Sequence, residues 1–320
     1  MTFEANKWQP HASRSVLVER ALLLNQIRSF FNQADVLEVD TPSLSNGTIT
    51  DPHLEPISAE LGTDKPVKLY LQTSPEYAMK RLLASGCGDI FQICKAFRND
   101  EHGRKHNSEF TLLEWYRIGF DPAMMLDEIE SLLTLVLGIS GSDRVRYADL
   151  FLQHLEIDIE TVTDSELGDV LESYCSGLRL ENRDDILMAL FATCIEPSIG
   201  QHQPCFVTHY PASQASLAKL YEDEPKYAQR FEVYFKGVEL ANGFGELSDS
   251  DEQQKRFEQD NLQRLKSGKP EMPIDSRLID ALKHGLPNCT GVALGIDRLL
   301  MLKLGKDSIK DVLAFDVSNA

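Results

Sequence analysis

The chain has 320 residues, 42% of them hydrophobic and 26% charged, enough to bury a large core in one sizeable domain or two modest ones. Fifty acidic residues against 32 basic ones give a formal net charge of −18, so the average surface repels a phosphate backbone and a tRNA partner is disfavoured. The six cysteines form no CxxC pair, the opening segment has no apolar signal region, and no apolar run approaches the roughly 18 residues of a membrane span; a zinc site, a disulfide framework and a membrane anchor are not indicated, and the expectation is a cytoplasmic protein.

In chain order, Val16, Leu17, Leu23, Leu24, Ile27, Phe30 and Phe31 fall at helical spacing and predict an amphipathic helix over 16–34. VLEVDTP follows as a strand that Pro42 stops. PVKLYLQTSPE reads as a strand ending at Ser74, with Pro75 placed to open a helix that closes near Gly86. DIFQICKAFR and EFTLLEWYRIG read as two strands joined by the polar loop Asn99 to Ser108. That loop is too short for a helical crossover, so the two strands pair antiparallel. Residues 122–203 carry helical patterns such as AMMLDEIESLLTLVL and RDDILMALFATCI and read as a mainly helical insert. QPCFVTHY and RFEVYFKGVELANGFGEL return to strand, Asp249 is placed to cap a polar helix, and the chain closes on strand GVALGI and helix DRLLMLKLG. Neither GxGxxG nor GxxxxGK(S/T) occurs, so a nucleotide site must be built from side chains on an antiparallel sheet. The fold class is α+β.

The densest polar signal is Phe97–Arg98–Asn99–Asp100, followed by His106–Asn107–Ser108–Glu109–Phe110 and Thr111–Leu112–Leu113–Glu114–Trp115–Tyr116. Arg98 offers a rigid fork of donors for an α-phosphate and a substrate carboxylate, the two groups that meet when an adenylate forms. Phe110 is placed to stack on adenine, and His106 and Asn107 to reach outer phosphates, with His102, Arg104 and Lys105 completing a local basic cluster. For any one of these residues taken alone, a solvated surface hairpin is the plainer reading. Farther on, the glycines of Gly291–Val292–Ala293–Leu294–Gly295–Ile296–Asp297–Arg298 let a backbone lie against a purine and ribose. Glu239 and Glu246 would face opposite sides of a regular strand, and Gly243 and Gly245 would permit a bulge that brings both carboxylates to one site.

These residues carry a resemblance. Phe97 through Tyr116 resembles motif 2 of class II aminoacyl-tRNA synthetases in its lysyl-tRNA synthetase version, Gly291 through Arg298 resembles motif 3, and the first helix with Val39–Asp40–Thr41–Pro42 resembles motif 1. The resemblance implies the class II catalytic fold, an antiparallel sheet flanked by helices. It also implies roles: Arg98, Glu239 and Arg298 in catalysis; Asn99, Asp100, His106, Asn107, Phe110, Leu240 and Gly295 around ATP; Glu239 on ATP-bound Mg²⁺. Ser74, Pro75, Glu76, Glu114, Tyr116, Asn242, Glu246 and Ala293 match the amino-acid pocket. A diamino substrate needs a carboxylate for each buried ammonium, which the matching positions supply: Glu76 and Glu114 for the nearer amino group, Glu246 with Tyr116 for the farther one. Asp100 departs from the usual glutamate, a shorter side chain at the position that the resemblance places against the adenine amino group.

TSPEY, GRKHNSEFTLLEWYR, HYPASQASLA and RFEVYFKGVELANGF are also similar to the elongation factor P lysine ligases, which look like the bare synthetase core. The first helix begins near residue 16 and leaves no room for an anticodon-binding domain, so a single catalytic domain over 1–320 is expected. This resemblance implies activation of (R)-β-lysine or lysine by ATP and Mg²⁺, transfer to a lysine ε-amine of elongation factor P, and a homodimer built on motif 1. Ala293 stands where lysyl-tRNA synthetases resemble glycine, and its methyl would penalise α-lysine against the β isomer by about 1–3 kcal/mol. A minimal lysyl-tRNA synthetase and a silent regulatory paralogue are the competing expectations.

Overall fold

The structure is a computed structural model that describes residues 8–99 and 102–320. The chain divides into two compact units, one made of residues 1–120 and 247–320, the other of residues 121–246.

In the first unit, Ser13 caps α1 (Arg14–Gln33), its hydroxyl accepting from the Val16 N–H. The apolar stripe Val16, Leu23, Ile27 and Phe31 is the buried face of α1, and Phe31 stacks on Phe91 with ring centroids 4.6 Å apart. β1 (Leu37–Glu38) is much shorter than the sequence pattern suggests: it pairs in parallel with only Ile90 and Phe91 before the chain leaves the sheet. β2 (Leu44–Ser45), β3 (Ser58–Leu61) and β4 (Val67–Leu71) form a small antiparallel sheet in the order β2-β4-β3. α2 (Glu76–Ala84) starts after Pro75, as its fixed φ favours. β5 (Ile90–Phe97) and β6 (Glu109–Ile118) form the expected antiparallel hairpin.

The second unit opens with α3 (Pro122–Leu137), capped by Asp121, and a strand that helical periodicity conceals, β7 (Asp143–Arg146). α4 (Tyr147–Leu155), α5 (Asp164–Tyr174) and α6 (Arg183–Leu190) follow. The last continues as a π-helical turn, Phe191–Ile195, where the sequence pattern reads as one uninterrupted helix. These helices share a buried cluster with Phe151, Leu167, Leu190 and Val207. β8 (Cys205–Pro211), β9 (Tyr227–Phe235) and β10 (Val238–Gly245) are antiparallel neighbours, with β7 parallel to β8. RFEVYFKGVELANGFGEL is thus two strands: Lys236 and Gly237 take φ of 51° and 64°, a tight turn with both central residues in the left-handed region.

Back in the first unit, Asp249 caps α7 (Ser250–Lys266) through the Asp251 and Glu252 N–H groups, and α8 (Ser276–Gly285) follows. β11 (Cys289–Gly295) pairs antiparallel with β6 and runs directly into α9 (Ile296–Lys303). In this unit β5, β6 and β11 are consecutive strands, with α1 against the face that carries Trp115. Among the described residues no helix is long and apolar enough to cross a membrane.

Candidate active site

Alternation along β6 puts Thr111, Leu113 and Trp115 on the face toward α1 and Phe110, Leu112, Glu114 and Tyr116 on the other. Registers extend that second face sideways. Gly291, Ala293 and Gly295 of β11 lie opposite Tyr116, Glu114 and Leu112, and Gln92, Cys94 and Ala96 of β5 lie opposite Glu114, Leu112 and Phe110. On this face β11 carries only Gly291, Ala293 and Gly295, small residues beside a buried carboxylate.

Glu114 is 2% exposed, and its Oε1 accepts the Tyr116 hydroxyl at 2.7 Å. Ala293 sits directly across the ladder from Glu114, so its methyl is a cross-strand neighbour of that carboxylate. Cys94 borders the same face; burial, then the nearby Glu114 charge, pushes its thiol up to about 12, which keeps it protonated and non-nucleophilic at neutral pH.

Arg98 follows β5. Its backbone N–H closes the hairpin loop onto the Ser108 carbonyl at 2.9 Å, and its guanidinium lies 5.1 Å from the centre of the Phe110 ring. The Asn99 N–H is held by the Glu55 carbonyl at 2.8 Å. Asp100 lies outside the described residues. Asn107 is buried, and its amide spans the chain: Nδ2 donates to the Glu109 carbonyl at 2.6 Å and Oδ1 accepts the Val317 N–H at 3.0 Å. His106 is exposed, with Nε2 2.6 Å from Nη2 of Arg298, whose Nε reaches the Lys105 carbonyl at 3.3 Å. The structure therefore attaches Arg98 to the start of the loop and Arg298 to its turn. His106 and Asn107 also line an open pocket with His102, Arg104 and Lys310.

A Cβ at Gly295 would meet the Arg298 stem at 3.8 Å, an ordinary contact, and Gly295 has φ of −75°. Nothing in the chain itself requires glycine there: a side chain would meet only the Arg298 stem, at ordinary contact distance. Glu76 lies on α2 and pairs with Lys80 at 2.7 Å, a lysine buried to 1% exposure. Ser74 accepts the Glu76 N–H at 3.1 Å, and Ser74, Pro75 and Glu76 line a small pocket with Tyr70, Arg81 and Asp275. Glu114 and Tyr116 are not part of that lining.

In the second unit, the bulge on β10 is at Leu240 and not at the glycines. Glu239 pairs with Tyr234 and Ala241 with Val233, leaving Leu240 as the extra residue. This shift puts Asn242, opposite Glu232, on the same face as Glu239, and continued alternation brings Glu246 to it as well. The two carboxylates thus share a face, as expected, by a different device. Leu240 itself points into the core. Gly245 has a packing reason to be glycine, since a Cβ would come 2.4 Å from Oε1 of Gln229. Asn242 Oδ1 is buried with no hydrogen-bond partner, a polar atom suited to a bound ligand.

Sequence reasoning missed the buried network beside Asn242. Glu232 accepts from Arg230 at 2.6 Å, from Tyr210 at 2.7 Å and from Tyr234. Burial alone would raise the Glu232 carboxyl, but Arg230 and the two hydroxyls outweigh it and hold the pKa low. The i, i+2 spacing of Arg230, Glu232 and Tyr234 on one strand face was the available signal.

The model of the class II tRNA synthetases (D, K and N) matches residues 6–319, and the chain belongs to that family. Within it, the chain is 50% identical to the elongation factor P–(R)-β-lysine ligase of Yersinia enterocolitica, over 99% of each chain. Proteins of the same description from Salmonella typhi and Salmonella dublin are 49% identical, again over 99% of each chain.

Proposed function

We propose that this chain uses ATP to activate (R)-β-lysine, or lysine, and transfers the acyl group to the ε-amine of one lysine of elongation factor P. The single observation that carries the reading is the buried Glu114–Tyr116 pair on a sheet face where the neighbouring strand carries only glycine and alanine, a site for an ammonium group beside a candidate phosphate grip. The full-length similarity to ligases of that description supports the acceptor.

In the first step, an oxygen of the amino-acid carboxylate attacks the α-phosphorus of ATP, the bond to the bridging oxygen breaks, and pyrophosphate leaves. Arg98 is placed to pair the carboxylate and the α-phosphate, and its contact with Phe110 keeps the fork beside the ring on which adenine would stack. Arg298 with His106 takes the outer phosphates, while Asn107 holds the loop that presents them. Mg²⁺, carried by ATP and held through the hard carboxylate oxygens of Glu239, would neutralise phosphate charge. Among the described residues no group of three or more His, Cys, Asp or Glu is arranged to hold a metal ion.

Glu114 with Tyr116 and Glu246 take the two ammonium groups, and Asn242, whose buried Oδ1 has no hydrogen-bond partner, helps to orient the substrate. Glu76 already neutralises Lys80, so its part is shared between that buried cation and the nearer substrate amine. In the second step the acceptor amine, deprotonated, attacks the acyl carbon, an amide bond forms, and AMP departs. A homodimer through α1 is part of the proposal, supported by Val18 and Leu22, exposed one turn apart on that helix.

Mass spectrometry of elongation factor P after incubation with ATP and either lysine isomer tests donor and acceptor together. A mass gain of one lysyl group on one lysine is expected. Charging of tRNA with an unmodified factor would overturn the reading.

A further inference from the structure

Thr111 and Asp297 flank the two residues assigned above to the nucleotide, Phe110 and Arg298, and a third residue joins them from behind the sheet. The β6–β11 ladder ends at Leu112 opposite Gly295. One residue farther along β6, the Thr111 N–H has no strand left to meet, and Oδ2 of Asp297 takes it at 2.7 Å. Asp297 is 1% exposed, in the first turn of α9. Its other oxygen lies 2.6 Å from Nη1 of Arg20 on α1, and Nη2 of the same guanidinium donates to Oγ1 of Thr111 at 2.7 Å. One guanidinium thus engages both groups, pairing by charge with the carboxylate through Nη1 and donating to the strand hydroxyl through Nη2, a two-point contact that a lysine ammonium does not reproduce.

We infer that Arg20 is a positioning residue for ATP: it locks Asp297 and Thr111 together, and so fixes the distance between the adenine-stacking ring of Phe110 and the phosphate-holding guanidinium of Arg298. The inference rests on the reading of those two residues as nucleotide contacts. Arg20 cannot touch the ligand itself, since Thr111 is on the face of β6 toward α1 and Phe110 is on the opposite one. Its influence passes through the carboxylate. Without the guanidinium, Asp297 is a buried charge with one hydrogen bond, and the first turn of α9 must move to hydrate it. Arg298 is the next residue in that turn, and a displacement of about 1 Å in a gripping group is enough to weaken transition-state contacts up to about 100-fold.

The test is ATP- and lysine-dependent pyrophosphate exchange by the full chain, with KM determined separately for ATP and for the amino acid. For Arg20→Ala, a rise of about tenfold or more in KM for ATP is expected, with KM for lysine within about twofold of wild type. Free guanidinium at millimolar concentration is expected to restore the ATP KM. Arg20→Lys should fall between the two, and Thr111→Val, which removes only the hydroxyl arm, should raise the ATP KM by about threefold. Should Arg20→Ala lose its cooperative melting transition, Arg20→Lys and Thr111→Val carry the same comparison. An unchanged ATP KM, or equal rises for ATP and lysine without guanidinium rescue, overturns the inference while the ligase reading stands. A wild-type protein that binds no ATP by calorimetry and exchanges no pyrophosphate overturns the ligase reading itself.

Discussion

The hydroxyl of Tyr116 donates to Oε1 of Glu114 at 2.7 Å, two residues along the same strand face, with both side chains buried. Under the proposed function a substrate ammonium lies against this buried carboxylate, where an ion pair is screened little by water. Glu114→Gln keeps the shape and removes the charge. It should raise KM for lysine by about 100-fold or more, in line with about 3–5 kcal/mol for losing one partner of a buried pair, while leaving the ATP KM nearly unchanged. Tyr116→Phe removes one hydrogen bond to a charged group, about 1.5–3 kcal/mol, and should cost less. Pyrophosphate exchange with each substrate varied in turn measures both, and a larger effect on ATP than on lysine would contradict the assignment.

Arg98 and Arg298 are tied to one loop at different places, the first at its base through its own N–H to Ser108 and the second at its turn through Lys105 and His106. At 2.6 Å from Arg298 Nη2, the His106 Nε2 must accept, so the contact requires a neutral imidazole. Arg98→Ala or Arg298→Ala should lower kcat for exchange by about 10²–10³, the loss seen when one preorganised donor to a charged transition state is removed. His106→Ala should cost about tenfold, and chiefly in the KM for ATP, because it loses a support and not the charge. Steady-state exchange kinetics check the order, and a His106→Ala defect equal to that of Arg298→Ala would reverse it.

What the sequence made legible was local. The β5–β6 hairpin follows from two aromatic-rich runs and a loop too short for a crossover, and α2 follows from Pro75 and the spacing behind it. Less visible were features set by partners far along the chain. Leu240 forms the bulge that aligns Glu239 with Asn242, yet a leucine carries no local sign of it, and Gly243 and Gly245 pointed to the wrong place. Asn107 resembles a phosphate ligand by its place in the motif, but its carbonyl is bound to the N–H of Val317, at the other end of the chain. The Glu76–Lys80 pair is different: its i, i+4 spacing on α2 was available in the sequence and states plainly that Glu76 is partly neutralised.

Ala293 is the cross-strand neighbour of Glu114, so the alanine methyl stands beside the carboxylate proposed to hold a substrate amine. Moving that amine by one carbon, from the α to the β position, changes how closely the substrate approaches the methyl. Ala293→Gly should improve kcat/KM for α-lysine by about 5–100-fold, the range of about 1–3 kcal/mol for one methyl group in a pocket, and should change the β isomer less. Parallel exchange assays with the two isomers decide it. Equal gains for both isomers would show that the methyl merely packs.

Asp260, on α7, bears on stability and not on catalysis. Its Oδ2 accepts the Thr50 hydroxyl at 2.7 Å. Burial pushes the carboxyl up to about 6; the Thr50 bond opposes the shift and the neighbouring Asp51 charge adds to it. With the folded pKa above the unfolded value near 4, the native state holds an extra proton between about pH 4 and pH 6. Stability therefore falls as pH rises through that window, and at neutral pH the native state carries a half-buried charge at a cost of up to about 3 kcal/mol before solvent screening is discounted. Asp260→Asn keeps an acceptor for Thr50 and removes the charge. Thermal melting should show the variant a few degrees above wild type at about pH 7.5, with the gap closing below about pH 5 as the wild-type carboxyl takes up its proton. A variant that melts lower than wild type at both pH values would mean that the charged carboxylate is stabilised by partners that outweigh its burial, for which Arg256 and His53 are the nearby cationic candidates.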